Sequence, residues 1–184
     1  MKRVLTILLL ALLVLPQGIA LSEESFDAAA WSEAFNGIWS QAIPTAFVFD
    51  EIPADGALLS GSIGESFVLT ITASDEEAGK IEVKAEIIGS GEVSEEEDAQ
   101  PFVEEKTYVL IAFCAAIQAQ RPDLTANNEL INELTMSVSE KIFLDADFAA
   151  AYDGVEKTAD LDGGIAYEEY FSSEEEVMWY ALIL

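Results

Sequence analysis

Residues Tyr108–Ala119 read YVLIAFCAAIQA, and every residue from Tyr108 to Ile117 is apolar. Such a run is too long for an ordinary strand, and Ala and Leu favour the helix. A helix that is apolar on all sides has no face for water, so it is buried in protein or in lipid. Crossing a bilayer takes about 20 apolar residues. Here Glu104, Glu105 and Lys106 stand on one side and Arg121-Pro122 on the other. The spacing therefore predicts a buried central helix over Pro101–Gln120, around which the rest of the chain must pack.

Outward from that helix, the sequence predicts an α+β fold. Ser22–Ile43 is amphipathic: Phe26, Ala30, Trp31, Ala34, Phe35, Ile38, Trp39 and Ala42 form one stripe, with Asp27, Ser32, Glu33, Asn36 and Gln41 opposite. Ser25 reads as its N-cap and Pro44 as its stop. The two tryptophans fall on the stripe that must bury itself, so they read as core and not as a sugar-stacking platform.

Strands follow at Thr45–Phe49 and Ala57–Ile63, joined by the turn Pro53-Ala54-Asp55-Gly56. The clearest hairpin comes next. Phe67, Leu69, Ile71 and Ala73 alternate with Val68, Thr70 and Thr72; after the loop Ser74–Gly79, Ile81, Val83, Ala85 and Ile87 alternate with Glu82, Lys84 and Glu86. Period two gives each strand one core-facing row.

Gly89–Gln100 is an acidic connection. Beyond the central helix, Thr125 reads as the N-cap of a shorter helix with Leu130, Ile131 and Leu134 inside. The last third reads as β: Lys141–Tyr152, a turn at Asp153-Gly154, and the set Val155, Lys157, Ala159 and Leu161. Asp162-Gly163 then turns into Ile165, Tyr167, Glu169 and Phe171, the polar loop Ser172–Glu176 follows, and Val177–Leu184 reads as a central strand. An antiparallel sheet, whole or split in two, is expected to pack on the central and N-terminal helices. Helix-then-meander order recurs in residues 25–88 and 101–184, which is the pattern of a duplication, although the residues themselves do not repeat.

Composition narrows the function. The chain has 184 residues, 51% of them hydrophobic, with 8 Lys+Arg against 35 Asp+Glu and a formal net charge of −27. That length suits one domain over residues 21–184 with a substantial core. Such a surface repels phosphate backbones and anionic headgroups, so neither nucleic acid nor membrane is an expected partner.

Met1–Ala20 reads as a secretory signal peptide: Lys2 and Arg3, the apolar Val4–Leu15, the breaker Pro16, and the small residues Gly18 and Ala20. A secreted, extracellular or cell-envelope location follows from that reading. Cys114 is the lone cysteine, so no disulfide forms within the chain, and its apolar neighbours make it a core residue.

The chain contains no histidine. Ser-His-Asp and Cys-His nucleophile systems and His-ligated zinc are therefore ruled out. Ser-x-x-Lys, Gly-x-Ser-x-Gly and phosphate-loop motifs do not occur. A carboxylate-dependent hydrolase needs two acids about 5–10 Å apart, but 35 acids make chance pairs unavoidable and nominate none.

One stretch partly resembles an EF-hand calcium loop. In residues 158–169, Asp160, Asp162, Gly163, Ile165 and Glu169 fall at loop positions three, five, six, eight and twelve, but Thr158 stands at position one where Asp is usual. The metal-ligand set would be Thr158, Asp160, Asp162 and Glu169, with calcium the only cofactor in view. Asp-Gly between alternating runs equally describes a plain hairpin, the preferred reading.

The function expected is a non-catalytic, exported acidic module that binds a protein, peptide or surface ligand. The calcium-dependent module and the small hydrolase are the alternatives. Mass spectrometry of the exported protein is expected to find Leu21 at its N-terminus; recovery of intact Met1 in membranes would show an uncleaved anchor instead.

Overall fold

A computed structural model describes residues 26–74, 80–89, 103–125, 127–144 and 154–184. Among them are helices α1 (Ala28–Ala42), α2 (Val103–Gln120), the one-turn α3 (Pro122–Thr125) and α4 (Asn128–Leu144). The strands are β1 (Leu59–Ile63), β2 (Phe67–Ala73), β3 (Ile81–Ile88), β4 (Lys157–Leu161), β5 (Ile165–Ser172) and β6 (Val177–Ile183). They form one six-stranded sheet in the order β1-β2-β3-β6-β5-β4 with every pair antiparallel. The fold is α+β, as the sequence predicts.

The central helix is buried as its composition requires. Val109–Ile117 are all buried, which covers more than two turns and hence the full circumference. The helix lies against α1, α4 and β3. No helix among the described residues is long and apolar enough to cross a membrane.

At its start, Tyr108 packs its ring 5.8 Å from Phe67 and 6.1 Å from Trp39, tying α2 to the sheet and to α1. The Tyr108 hydroxyl donates to the Glu104 carboxylate, and that bond, helped by burial, pushes its pKa up to about 12. Cys114 is buried and faces α4, with Sγ 3.8 Å from Thr135 Oγ1. Thr135 donates its one hydroxyl proton to Ile131 O at 2.8 Å, so the thiol is the donor of this contact.

Helix α1 begins at Asp27, whose Oδ1 accepts from Ala30 N at 3.0 Å. Ser25, the expected cap, lies outside the described residues. Trp31, Phe35, Ile38 and Trp39 are buried, so the tryptophans are core. Their rings form a continuous cluster with Phe47 and Phe49, with centroid separations of 4.9–6.1 Å.

The expected strand Thr45–Phe49 does not form. Asn36 of α1 donates through Nδ2 to Phe47 O at 3.0 Å and accepts from Phe47 N at 2.7 Å, replacing a neighbouring strand. Trp39 Nε1 donates to Thr45 O at 3.0 Å. Side chains of a helix have taken the backbone groups that a ladder would need. Only a single bridge, Phe49 to Gly61, reaches the sheet. At that crossing a Cβ on Gly61 would lie 2.6 Å from Val48 O and 2.7 Å from Phe47 Cε1. Gly61, the small residue within β1, is what lets this segment cross.

Three other boundaries differ. The second expected strand is shorter than Ala57–Ile63, beginning at Leu59. Thr125 ends α3, while Asn127 caps α4 by accepting from Glu129 N at 3.1 Å and Leu130 N at 3.3 Å. Lys141–Leu144, expected to open a strand, continues α4, with Leu134, Val138 and Ile142 buried on one helical face. The rest of Lys141–Tyr152, with Asp153, lies outside the described residues, as do the leader, residues 75–79 and residues 90–102.

The sheet is two three-stranded meanders, β1-β2-β3 and β4-β5-β6, joined at β3–β6. Ala85 stands opposite Tyr180 at the centre of that junction. A half-turn about an axis normal to the sheet at this point superposes one meander's strand order on the other. The ladders then place Phe67, Leu69 and Ile71 where Tyr167, Glu169 and Phe171 stand, and Val83, Ala85 and Ile87 where Met178, Tyr180 and Leu182 stand. All twelve point to the core and all are buried.

Replacing Phe113 by Ala is expected to cost about 3–5 kcal/mol in denaturant unfolding, because the emptied site sits where rigid elements cannot close in. Gly61→Ala is expected to cost about 1–3 kcal/mol, since the close neighbours are backbone and a ring. Burial pushes the Cys114 thiol from its ordinary value of 9.0 up to about 11. Its contribution to stability is therefore full below about 9 and is lost as pH rises towards about 11. A thiol reagent near neutral pH is expected to leave the native protein unlabelled and to label it fully in guanidinium. Rapid native labelling would contradict the placement of α2.

Candidate functional site

The calcium-like stretch 158–169 is a β-hairpin. Thr158 pairs with Glu168, Asp160 with Ala166 and Lys157 with Glu169 across β4 and β5. Because side chains alternate, Thr158 and Asp160 lie on one face of the sheet and Glu169 on the other. Asp162 is exposed in the one-turn 3-10 segment Asp162–Gly164, where Gly163 and Gly164 take φ of 76° and 73°. The four expected ligands thus do not converge. Two cations from elsewhere hold the carbonyls of this turn: Arg121 Nη1 donates to Gly163 O and Lys80 Nζ to Gly164 O, each at 3.1 Å. Arg121 also grips Asp123 through Nε–Oδ1 at 3.0 Å and Nη2–Oδ2 at 2.9 Å, which holds that carboxyl below its usual range. Among the described residues no group of three His, Cys, Asp or Glu side chains is placed to hold a metal ion.

Glu169 itself is 3% exposed and occupies the core-facing position that Leu69 fills in the other meander. A buried carboxylate needs partners to offset lost hydration. Tyr167 donates its hydroxyl to Glu169 Oε2 at 2.6 Å, and Lys157 Nζ lies 3.9 Å from Oε1. Tyr167 stands in turn where Phe67 stands opposite, so the second meander has exchanged two apolar residues for a hydrogen-bonded pair.

The opposite face of the sheet is different in kind. The buried core joins the helices to one set of alternating strand residues only: 67, 69 and 71; 81, 83, 85 and 87; 165, 167 and 171; 178, 180 and 182. The described helices therefore cover one face; the other carries Val68, Thr70, Lys84, Glu86, Ile88, Glu168, Tyr170, Val177 and Trp179, partly or well exposed, together with Ala181, Ile183 and Ser172, which are buried. Across this face, which none of the described helices covers, the ladders align Val68, Glu86, Trp179 and Tyr170 in one row, and Thr70, Lys84, Ala181 and Glu168 in the next.

Tyr170 and Trp179 stack, with ring centroids 5.5 Å apart and planes 22° apart. Lys84 reaches over the Trp179 ring at 4.9 Å while pairing with Glu86 at 3.0 Å.

Sequence reading passed over this face because Val177–Leu184 is almost wholly apolar and reads as buried on both sides. The signal lay in the neighbours: Glu82, Lys84 and Glu86 mark a polar face on β3, and pairing β6 beside it puts Trp179 on that face. The chain matches no protein-family model, no curated protein and no solved structure to which it was compared.

Proposed function

We propose that this chain is an exported, non-catalytic binding module that captures a protein, peptide or surface ligand against the sheet face that the described helices leave uncovered. The observation that carries this reading is the Tyr170–Trp179 stack, standing partly exposed beside Val68, Ile88 and Val177. Ile88 is 46% exposed, although it continues a strand whose other hydrophobic residues are buried. A contiguous apolar and aromatic strip on an otherwise charged surface is the usual mark of an interaction site. Tyr and Trp supply large contact areas at low entropic cost, which is why they concentrate in binding surfaces. The chain holds no histidine and no nucleophile motif, which fits a binding role. Export rests on the leader-like Met1–Ala20.

A photo-crosslinking amino acid at Glu86, on this face, is expected to give discrete adducts with a ligand in the envelope or culture fluid. The same group at Glu33, exposed on α1, is expected to give none. Adducts of equal yield from both positions, or from Glu33 alone, would remove the sheet face as the site.

A further inference from the structure

We infer that residues 46–55, the segment that crosses the edge of β1, form a docking element for a partner protein that presents an apolar pocket in a basic surface. This second contact goes beyond the sheet-face reading and does not rest on it. Ile52 is 86% and Val48 75% exposed, the two most exposed large hydrophobic side chains among the described residues. Ala46 is exposed too. Single exposed hydrophobic residues are ordinary on a protein surface; two on one short, firmly held segment are what interaction sites present.

The backbone that carries these side chains is tied along its length. On one flank Asn36 holds both backbone groups of Phe47, and Trp39 holds the carbonyl of Thr45. The Phe47 and Phe49 rings pack on Trp31, Phe35 and Trp39. On the other flank Asp50 N donates to Ser60 O at 2.8 Å. The buried Ser60 hydroxyl donates to Asp50 Oδ2 at 2.7 Å and accepts from Ala54 N at 2.9 Å. Ala57 N donates to Ala54 O at 2.9 Å and closes the turn. Val48 and Ile52 lie between these ties. A backbone already ordered loses little further entropy on docking, so what its side chains contact appears as affinity.

Charge fixes the chemistry of the partner. Asp50, Glu51 and Asp55 are exposed on the same segment, while α1, the segment itself, β1 and β2 contain no Lys or Arg. A second copy of the chain or an anionic lipid surface meets this rim as repulsion. A pocket bordered by Lys and Arg meets it as attraction, with the aliphatic side chains as its apolar centre.

The test places a photo-crosslinking amino acid at Ala46 of the full chain and, as control, at Glu140, exposed on α4, in the envelope or culture fluid. Ala46 is expected to give a discrete adduct whose crosslinked peptide carries Lys or Arg, and Glu140 none. The yield is expected to fall about tenfold or more when Val48→Ser and Ile52→Ser are combined. It is expected to fall several-fold when Glu51→Gln and Asp55→Asn are combined, and likewise when salt is raised to several hundred millimolar. Neither pair is expected to move the thermal midpoint, since all four side chains are exposed, so a lost adduct reports docking and not unfolding.

No discrete adduct from Ala46, or one whose yield survives the loss of Val48 and Ile52, would overturn the inference. So would an adduct with a second copy of the chain, or one indifferent both to the Glu51 and Asp55 variants and to salt. Flotation with vesicles of phosphatidylcholine, lost in the same aliphatic variant, would reassign the segment to a lipid surface and overturn the protein partner. Crosslinking from Glu86 reads the sheet face separately, so either proposal can fail alone.

Discussion

Burial of α2 around its whole circumference is the constraint on which the other elements depend. A helix with apolar residues on every side cannot lie on a surface, so it demands cover from several directions at once. The sheet, α1 and α4 supply it, and each carries one apolar face turned inward. Tyr108 marks the point where three of these elements meet, touching Trp39 of α1 and Phe67 of β2 from the first turns of α2. Removing any of the covering layers would return apolar surface to water at a cost of about 25 cal/mol per Å².

Covering the helix from below requires a broad sheet, and the chain builds it by joining two meanders edge to edge. The β3–β6 junction leaves the shortest path between the halves at the centre and sends β1 and β4 to the two edges. The edges are finished differently. At β1 the crossing segment Thr45–Phe49 folds across Gly61, anchored from above by Asn36 and Trp39. The β4–β5 turn is pinned instead by Arg121 and Lys80 through its carbonyls. The half-turn relation extends to the buried positions of the core, though the side chains differ in chemistry: Tyr167 and Glu169 stand where Phe67 and Leu69 do, and Tyr180 where Ala85 does. Tyr167 and Glu169 lie two residues apart on one strand, so their bond moves with β5; it is Lys157, across on β4, that ties the carboxylate to the β4–β5 register.

The described helices all lie on one face; on the other, Tyr170, Val177, Trp179 and Ile88 are partly or well exposed, while Ala181, Ile183 and Ser172 are buried. That arrangement accounts for the alternation of Glu82, Lys84 and Glu86. The docking function is a proposal that starts from this one-sided arrangement of the described helices.

The sequence by itself determined the local elements wherever one signal dominated. The apolar run at 108–117 required a buried helix, the stripe at 26–42 required an amphipathic one, and the alternation in 67–73, 81–87 and 165–171 required half-buried strands. Cys114, Trp31 and Trp39 were legible as core for the same reason, since their neighbours in the pattern were core. Tertiary structure decided what depends on partners distant in the chain. Thr45–Phe49 has strand composition, yet Asn36 holds its backbone; Lys141–Leu144 has no period of its own and follows the helix that precedes it. Thr158, Asp160, Asp162 and Glu169 have nearly the spacing of a calcium loop, yet strand pairing sends them to opposite faces. Trp179 lies in an apolar run that reads as doubly buried, and only the pairing of β6 between β3 and β5 assigns it to the open face. Hydrophobic periodicity is a local property that a sequence carries in full, whereas which strand lies beside which is settled by the free energy of covering α2 from all sides.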